Sequence, residues 1–485
     1  MKKVIAMKKR LLPLLALSAM ISCSEKHPSE ALTIEIQDSL KFGCDFHNPL
    51  LDHLYTADPT AVEYEGRLYV YGTNDQQQCD EVHPDSANTY EHINSLAMMS
   101  TRDMVNWTYH GLIHTKQLAP WIIASWAPSI CSREEEDGRT HFYLYYSNSG
   151  YGTGVLTSTS PVGPWTSPLD SSIVDAKTPG LGDCHVPFDP GVVIDDEGNG
   201  WLAFGAGKAR LARLGKDMLS FDSPFVVLPA SHHFEANELN IIGGRLVYTY
   251  NLDWTDKEDW SEKAPVPTRC SMGYMLPDGD PLLTDSWHYQ DYYLKNPGDD
   301  GFEYSNNHTH LHKYEGKWYL FHHTMILKNA KHQKGGYRNI SVDEINVDEA
   351  TQHISLTHAT SEGVAQIRTV DPFEQQEMEM TFATHCISFD EDSTTCGNML
   401  AKAEGVGAIK VKGVEFGHKG KTLEFKAMGQ GQIDVRLDTP DGELIASAFI
   451  DGNTRTSLLN SPKGTHDLVF IIKGETLRVD KWMMK

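Results

Sequence analysis

Residues 56–75 read TADPTAVEYEGRLYVYGTND, and this stretch decides the fold. It opens on Asp58-Pro59, alternates apolar and polar positions, turns at Glu65-Gly66 and ends in the aromatic run Leu68–Tyr71. Period-two alternation of strand formers around a Gly-containing turn predicts a β-hairpin. Pro restricts its own φ and biases the residue before it toward extended backbone, so Asp58 is expected at a strand's start with its carboxylate projecting from the sheet end. One such carboxylate alone would ordinarily be solvated.

The pattern recurs, which gives it weight. WAPSICSREEEDGRTHFYLYYSN begins at Trp126 and DPGVVIDDEGNGWLAFGAG at Asp189. EANELNIIGGRLVYTYN begins at Glu235 and HTHLHKYEGKWYLFHHT at His308. Five copies starting at 58, 126, 189, 235 and 308 are separated by 68, 63, 46 and 73 residues. Hairpins repeated at that period predict radial repetition in a five-bladed β-propeller, with long loops between strands. The first strand of each blade lies nearest the axis, so Asp58, Trp126, Asp189, Glu235 and His308 are expected to converge on one point.

The chain of 485 residues has room for two domains with full cores. Its net charge of −24 argues against nucleic acid and against anionic membrane surfaces, both of which attract basic patches. A neutral, sugar-like ligand fits better. At the N-terminus, Lys2, Lys3, Lys8, Lys9 and Arg10 precede the apolar run LLPLLALSAMI, and Ser22 precedes Cys23. That order reads as a signal peptide over residues 1–22, with a run too short for a mature membrane span. Cys23 is expected to be the lipid-acceptor cysteine of a bacterial lipoprotein. Residues 23–41 would then form a tether, holding the protein in the envelope of a Gram-negative bacterium, in the periplasm or at the outer-membrane surface, with the lipid as its only membrane contact. Of the other cysteines, Cys386 and Cys396 are near enough in sequence for a local bridge.

Residues 42–369 are expected to form the propeller. The composition changes at Val370-Asp371-Pro372, and IKVKGVEF, KTLEFKAM, QIDVRLD, LIASAFI, HDLVFIIKG and LRVDKWMM follow with turns between them. This alternation predicts a second all-β domain over 370–485, a jelly-roll-like β-sandwich.

Three carboxylates, Asp58, Asp189 and Glu235, lead three of the five copies. Glycosidic hydrolysis needs an acid that protonates the leaving oxygen and a base that activates water, and carboxylates with pKa values pushed apart supply both. A third carboxylate near the acid raises its pKa by like-charge repulsion. His308, His310 and His312 alternate and would face one way, as in a zinc site, but no second cluster completes one.

The Asp-Pro at 58, WAP at 126, DP…DDEG at 189, FEA..L at 234 and NNH at 306 resemble, in order, the motifs of glycoside hydrolase family 43. Those enzymes are five-bladed propellers acting mainly on α-L-arabinofuranosides and β-xylosides. The resemblance implies Asp58 as general base, Asp189 as pKa modulator and Glu235 as general acid of an inverting hydrolase, with Glu238 a competitor for the acid. It places His308 where an axial His holds a water or a calcium ion, and Arg338, in YRNISVDEI, where an Arg reaches the sugar. Trp126 is expected in the pocket wall. The implied substrates are plant cell-wall polysaccharides or oligosaccharides losing arabinofuranosyl or xylosyl residues. A galactan-acting hydrolase and a non-catalytic glycan-binding surface lipoprotein are the alternatives.

The C-terminal part is similar to a family 6 carbohydrate-binding module. EMEM at 377, IKVKGVEFG at 409, QIDVRLD at 432 and RVDKW at 478 carry that resemblance, and Glu377, Glu379 and Asp480 match its structural calcium region. Calcium is thus the one cofactor implied, with no organic cofactor. Gly407-Ala408 stands where the module has Asp-Tyr, and no Trp occurs over Asn453–Leu458, so a structural or weakly binding module is expected.

Overall fold

The computed structural model describes residues 30–36, 39–44, 46–417 and 420–485. The expected signal peptide and Cys23 lie outside the described residues.

Five antiparallel sheets form the blades. Blade I holds β1 to β4 (Ala57–Tyr64, Arg67–Thr73, Leu96–Thr101, Trp107–Ile113) and blade II β5 to β8 (Trp126–Glu134, Thr140–Ser147, Gly152–Ser158, Val174–Asp175). Blade III holds β9 to β12 (Gly191–Ile194, Gly200–Phe204, Arg210–Arg213, Val226–Val227). Blade IV holds β13 to β16 (His233–Ile242, Arg245–Leu252, Met272–Pro277, Trp287–Leu294), and blade V only β17 to β19 (His310–Tyr314, Lys317–Thr324, Asn339–Glu344). The inner hairpins of blades I, IV and V close through Glu65-Gly66, Gly243-Gly244 and Glu315-Gly316, all with positive φ. Those are the left-handed dihedrals of a two-residue type I′ turn, whose twist matches that of the strands.

Alternation along the strands sends each blade's side chains to both neighbours. In β2, Leu68 and Val70 pack with Tyr319 and Phe321 of blade V, while Tyr71 packs with Phe142 and Leu144 of blade II. Further clusters fill the seams II–III, III–IV and IV–V. Five seams among five blades mean a closed ring. The closure joins chain ends: Leu50 donates its backbone N–H to Ile340 O at 2.9 Å. The buried Asn48 amide accepts from Val342 N at 2.8 Å and donates to Val342 O at 3.1 Å. A side-chain amide thus imitates a strand residue against β19, where blade V lacks a fourth strand.

Asp58 differs from the expectation of extended backbone: its φ is +51°. Pairing jumps from Ala57↔Thr73 to Thr60↔Tyr71, so Asp58 sits in a β-bulge that re-aims its side chain. Ala127, Asp189 and Ala236 carry φ of +40°, +49° and +58° at the equivalent places. Asp58 and Asp189 are therefore in register, and His308 matches them by its count back from the Glu315-Gly316 turn, whereas Trp126 and Glu235 stand one residue ahead of their bulges. Hydrophobic alternation hides such an offset because the bulge adds a residue without changing the pattern around it.

After β20 and β21 (Val347–Asp348, His353–Ile354), the chain enters a β-sandwich. Its strands are β22 (Gln376–Glu377), β24 (Ala383–Glu391), β25 (Met399–Phe416), β26 (Thr422–Met428), β27 (Gln430–Leu437), β28 (Leu444–Asp451), β29 (Thr454–Ser457), β30 (Gly464–Lys473) and β31 (Arg478–Met484). Its core includes Ile409, Phe425, Phe470 and Trp482. Strand β23 (Met380–Thr381) pairs with β4 and adds a fifth strand to blade I. Residues 30–36, inside the segment read as a tether, lie on this domain: Leu32 N donates to Asp434 Oδ2 at 2.6 Å, and Leu32 packs on Val469 and Ile471. Cys386 and Cys396 are both free, correcting the expected bridge. Cys386 sits in a bulge of β24, and Cys396, in the next loop, faces Val162 O.

Candidate active site

The bulges place their side chains by tying each blade to the next. Thr73, at the end of β2, donates to Asp58 Oδ2 at 2.7 Å and accepts from Ala127 N at 2.8 Å. Ser147 repeats this one blade on, donating to Asp189 Oδ1 at 3.1 Å and accepting from Asp189 N at 2.8 Å. Blade III has Gly205 at that position, and Asp189 Oδ2 itself accepts from Ala236 N at 3.0 Å. In blade V, His323 Nδ1 accepts from Asp58 N at 3.3 Å while its Nε2 faces Asn306 O at 2.7 Å. Burial pushes His323 down to about 3, so it is neutral, with its proton on Nε2.

Asp58, Trp126, Asp189, Glu235, His308 and Arg338 all line one pocket of about 90 Å³. The pocket is small and opens to solvent. His308 Nδ1 stands 3.7 Å from Asp58 Oδ1. Arg338 is buried beneath the pocket, with Nη1 donating to Asp58 Oδ1 at 2.8 Å.

These contacts separate the carboxyls electrically. Burial raises Asp58, but the Arg338 guanidinium first, with His308 beside it and the Thr73 hydroxyl, outweighs burial and holds it at about 2. Glu235 is pushed up to about 7 by burial and by the Asp58 charge, against the Asn306 hydrogen bond and the Arg338 guanidinium. Asp189 is raised as well, by burial and by the charges of Glu235 and Asp58. Asp189 accepts a hydroxyl and a backbone N–H, whereas Glu235 accepts only Asn306 Nδ2 at 3.2 Å. Hydrogen bonds favour the ionised form, so a proton shared by the two rests on Glu235. One carboxylate ionised and one carboxylic acid protonated near neutrality on one small pocket is the charge pattern of acid–base hydrolysis.

Residues 46–351 match the model of Glycosyl hydrolases family 43. The chain belongs to glycosyl hydrolase family 43. It is a glycosidase, as its relatives over nearly its whole length are. The family-43 chain is 32% identical to an arabinoxylan arabinofuranohydrolase of Bacillus subtilis strain 168, over 88% of its own length and 89% of the relative's. It is 29% identical to an arabinoxylan arabinofuranohydrolase of Paenibacillus polymyxa, covering 90% of this chain and 74% of that one. A crystal structure of the Bacillus subtilis arabinoxylan arabinofuranohydrolase in complex with cellotetraose superposes with a TM-score of 0.84 at 28% identity, covering 92% of this chain and 99% of that chain.

The competitor Glu238 is placed elsewhere in this family-43 propeller. It lies two residues past its bulge and is 1% exposed, with Oε1 2.8 Å from His310 Nδ1. Thr60, Ser129, Gly191 and His310 occupy the same level in the other blades. Gly191 has to be glycine there, because a Cβ would stand 2.5 Å from Glu238 Cα. His310 and His312 stack with ring centroids 5.6 Å apart, and burial pushes both down to about 3. His308 lines the pocket, and His310 Nε2 lies 3.4 Å from His312 Nδ1 on one face of the strand. Among the described residues, however, no three His, Cys, Asp or Glu side chains are placed to hold a metal ion together.

Four pocket residues were given no role by the sequence reading: Tyr90, Ala127, Phe188 and Asn306. Tyr90 lies on the long β2–β3 loop, which has no repeat pattern; its ring carries the Arg338 guanidinium at 4.9 Å and meets Trp126 edge-on at 6.1 Å. Phe188 directly precedes its bulge, as Trp126 and Glu235 do, and register was the signal for it. In the C-terminal domain, Glu379 is 1% exposed, and its carboxyl is raised well above the usual range by burial and by Glu377 and Asp480 nearby. Glu377 Oε2 and Glu379 Oε2 are buried with no hydrogen-bond partner. Hard, unpartnered carboxylate oxygens suit calcium in donor type.

Proposed function

We propose that this glycosidase releases single pentose residues, α-L-arabinofuranosyl before β-xylosyl, from plant cell-wall arabinoxylan with inversion at the anomeric carbon. The observation that carries the reading is the placement of Asp58 against Arg338 and of Glu235 against Asn306 on one small pocket, supported by the arabinoxylan arabinofuranohydrolase relatives. Glu235 acts as general acid toward the leaving oxygen. Asp58, kept ionised by Arg338, takes the proton of the attacking water. Asp189 acts as modulator of that acid and holds the Ala236 bulge, and with it the Glu235 backbone, by the hydrogen bond to Ala236 N. Trp126 offers a flat face to sugar C–H groups, and His308 and Arg338 hold ring hydroxyls.

The C-terminal sandwich serves as a structural partner of blade I through β23, and calcium at Glu377, Glu379 and Asp480 would require Lys481 and Lys426 to release their carboxylates. Cys23 carries the lipid that fixes the enzyme to the envelope of a Gram-negative bacterium. The test is NMR of the products formed from arabinoxylan, which reports sugar, linkage and anomer together. Released α-arabinofuranose with retained configuration would overturn inversion. Asp58→Asn and Glu235→Gln are each expected to lower kcat by about 10³-fold, and full activity in either would overturn its role.

A further inference from the structure

Arg338 presents its guanidinium to two carboxylates on opposite edges. Nη1 faces the pocket, donating to Asp58 Oδ1 at 2.8 Å and reaching Asn306 Oδ1 at 3.4 Å. Nε and Nη2 face away, donating to Asp75 Oδ2 at 3.0 Å and Oδ1 at 2.9 Å, and Arg338 N also donates to Asp75 Oδ2 at 3.0 Å. Asp75 itself is fully buried and absent from the pocket wall. It begins the helix α1 (Asp75–Glu81), and Asn88 Nδ2 holds its Oδ2 at 2.9 Å.

We propose that Asp75 is the positioning residue of this active site: by occupying one edge of the Arg338 fork, it leaves a single N–H to Asp58. The inference rests on the function proposed above. A guanidinium binds a carboxylate best with two parallel N–H groups. Without Asp75, the fork would turn and close both on Asp58, occupying the lone pairs that must accept a proton from water. The same turn would draw Nη1 from Asn306, whose Nδ2 donates to Glu235 Oε1 at 3.2 Å. Asp75 therefore acts on base and acid together through one cation, and touches neither substrate nor reacting atoms. It also fixes the plane that Tyr90 covers, so the cation is clamped between a carboxylate edge and an aromatic face.

An ion pair that only joined α1 to β19 would need the charge at 75 and not its reach, so Asp75→Glu separates the two roles. It keeps the charge and displaces the guanidinium by about one methylene. Melting temperature, kcat and KM on the arabinofuranosyl substrate are measured for D75E, D75N, R338K and D75N/R338K. Positioning predicts D75E folded with an unchanged melting temperature and kcat reduced about 10²-fold. It also predicts a double variant no slower than R338K alone, because Asp75 has no route to the reaction except Arg338. Full activity in D75E, or losses that multiply in the double variant, would overturn the proposal. A crystal structure of D75E gives a readout free of activity: Arg338 displaced from Asp58 supports it, and Arg338 unmoved refutes it. If the wild type hydrolyses no pentoside, the function reading fails, and that crystallographic result still decides Asp75.

Discussion

Asn306 donates from Nδ2 to Glu235 Oε1 at 3.2 Å, while Asp189, the neighbouring carboxyl, receives Ser147 Oγ and Ala236 N. Glu235 is thus the less well supplied of two crowded carboxyls that burial raises together.

A stability change with a definite sign follows. The folded pKa of Glu235, about 7, lies above its ordinary 4.5, so the proton is held longer in the folded chain than in the unfolded one. Its contribution to stability is fully present below pH 4.5 and is lost as pH rises through about 7. Glu235→Gln fixes the neutral form. The variant is expected to melt a few degrees above wild type at pH 8 and level with it at pH 4.5, read by calorimetry. In the wild type, kcat/KM should fall on the alkaline side of about pH 7 as the acid ionises.

Asp58 behaves in the opposite sense. Its pKa of about 2 lies below the ordinary 3.8, so its stabilising contribution is present above 3.8 and lost as pH falls through about 2. Arg338→Lys puts one charge where the fork served Asp58 and Asp75 together. The acid limb of kcat/KM is expected to rise into the measurable range above pH 3, with activity at pH 6 down by about 10²-fold. An unshifted limb would mean that His308 and Thr73 suffice to keep Asp58 ionised.

The blades were legible because the hairpin pattern is local: alternation, turn glycines and aromatic strands all sit within twenty residues of one another. The convergence of Asp58, Asp189, Glu235 and His308 followed from the repeat. What escaped depended on long-range contacts or on loops. Asp75 lay inside the opening stretch, yet its role exists only through Arg338, 263 positions away. Tyr90 reaches the pocket on a loop with no periodicity, and β23 joins blade I from beyond the composition change at 370. The bulges were invisible as well, since a positive φ at Asp58 runs against the preference of a residue before proline.

Closure of the ring gives a third prediction. Asn48 supplies an acceptor for Val342 N and a donor for Val342 O in a buried seam, and a second donor for the half-buried Thr360 O. Asn48→Ala leaves the Val342 N–H and C=O without partners and without water. The expected loss is about 3 kcal/mol, seen as a lower urea midpoint with an unchanged slope. A changed slope would mean that the ring opens before the molecule unfolds.

The crowded carboxyls of the C-terminal domain give the last. Lys481 Nζ meets Glu377 Oε1 at 2.8 Å and Lys426 Nζ meets Asp480 Oδ2 at 2.7 Å, but among the described residues Glu379 has no cation beside it, and it accepts Met399 N at 3.2 Å. Either a proton or a calcium ion must offset the crowding. A proton is lost as pH rises, because the Glu379 pKa is raised and its stabilising form is the neutral one. Calcium would make stability depend on free ion, by about 2.7 kcal/mol at a hundred times its Kd. Wild-type protein stripped with EDTA is therefore expected to melt lower at pH 8 than the same protein in millimolar calcium. In Glu379→Gln the two curves should coincide, with the stripped variant melting above the stripped wild type because the amide removes the like charge. If calcium leaves the wild type unmoved at pH 8 while acidification raises its melting temperature, Glu379 is held by its proton, and the site is a buried acid that carries no metal.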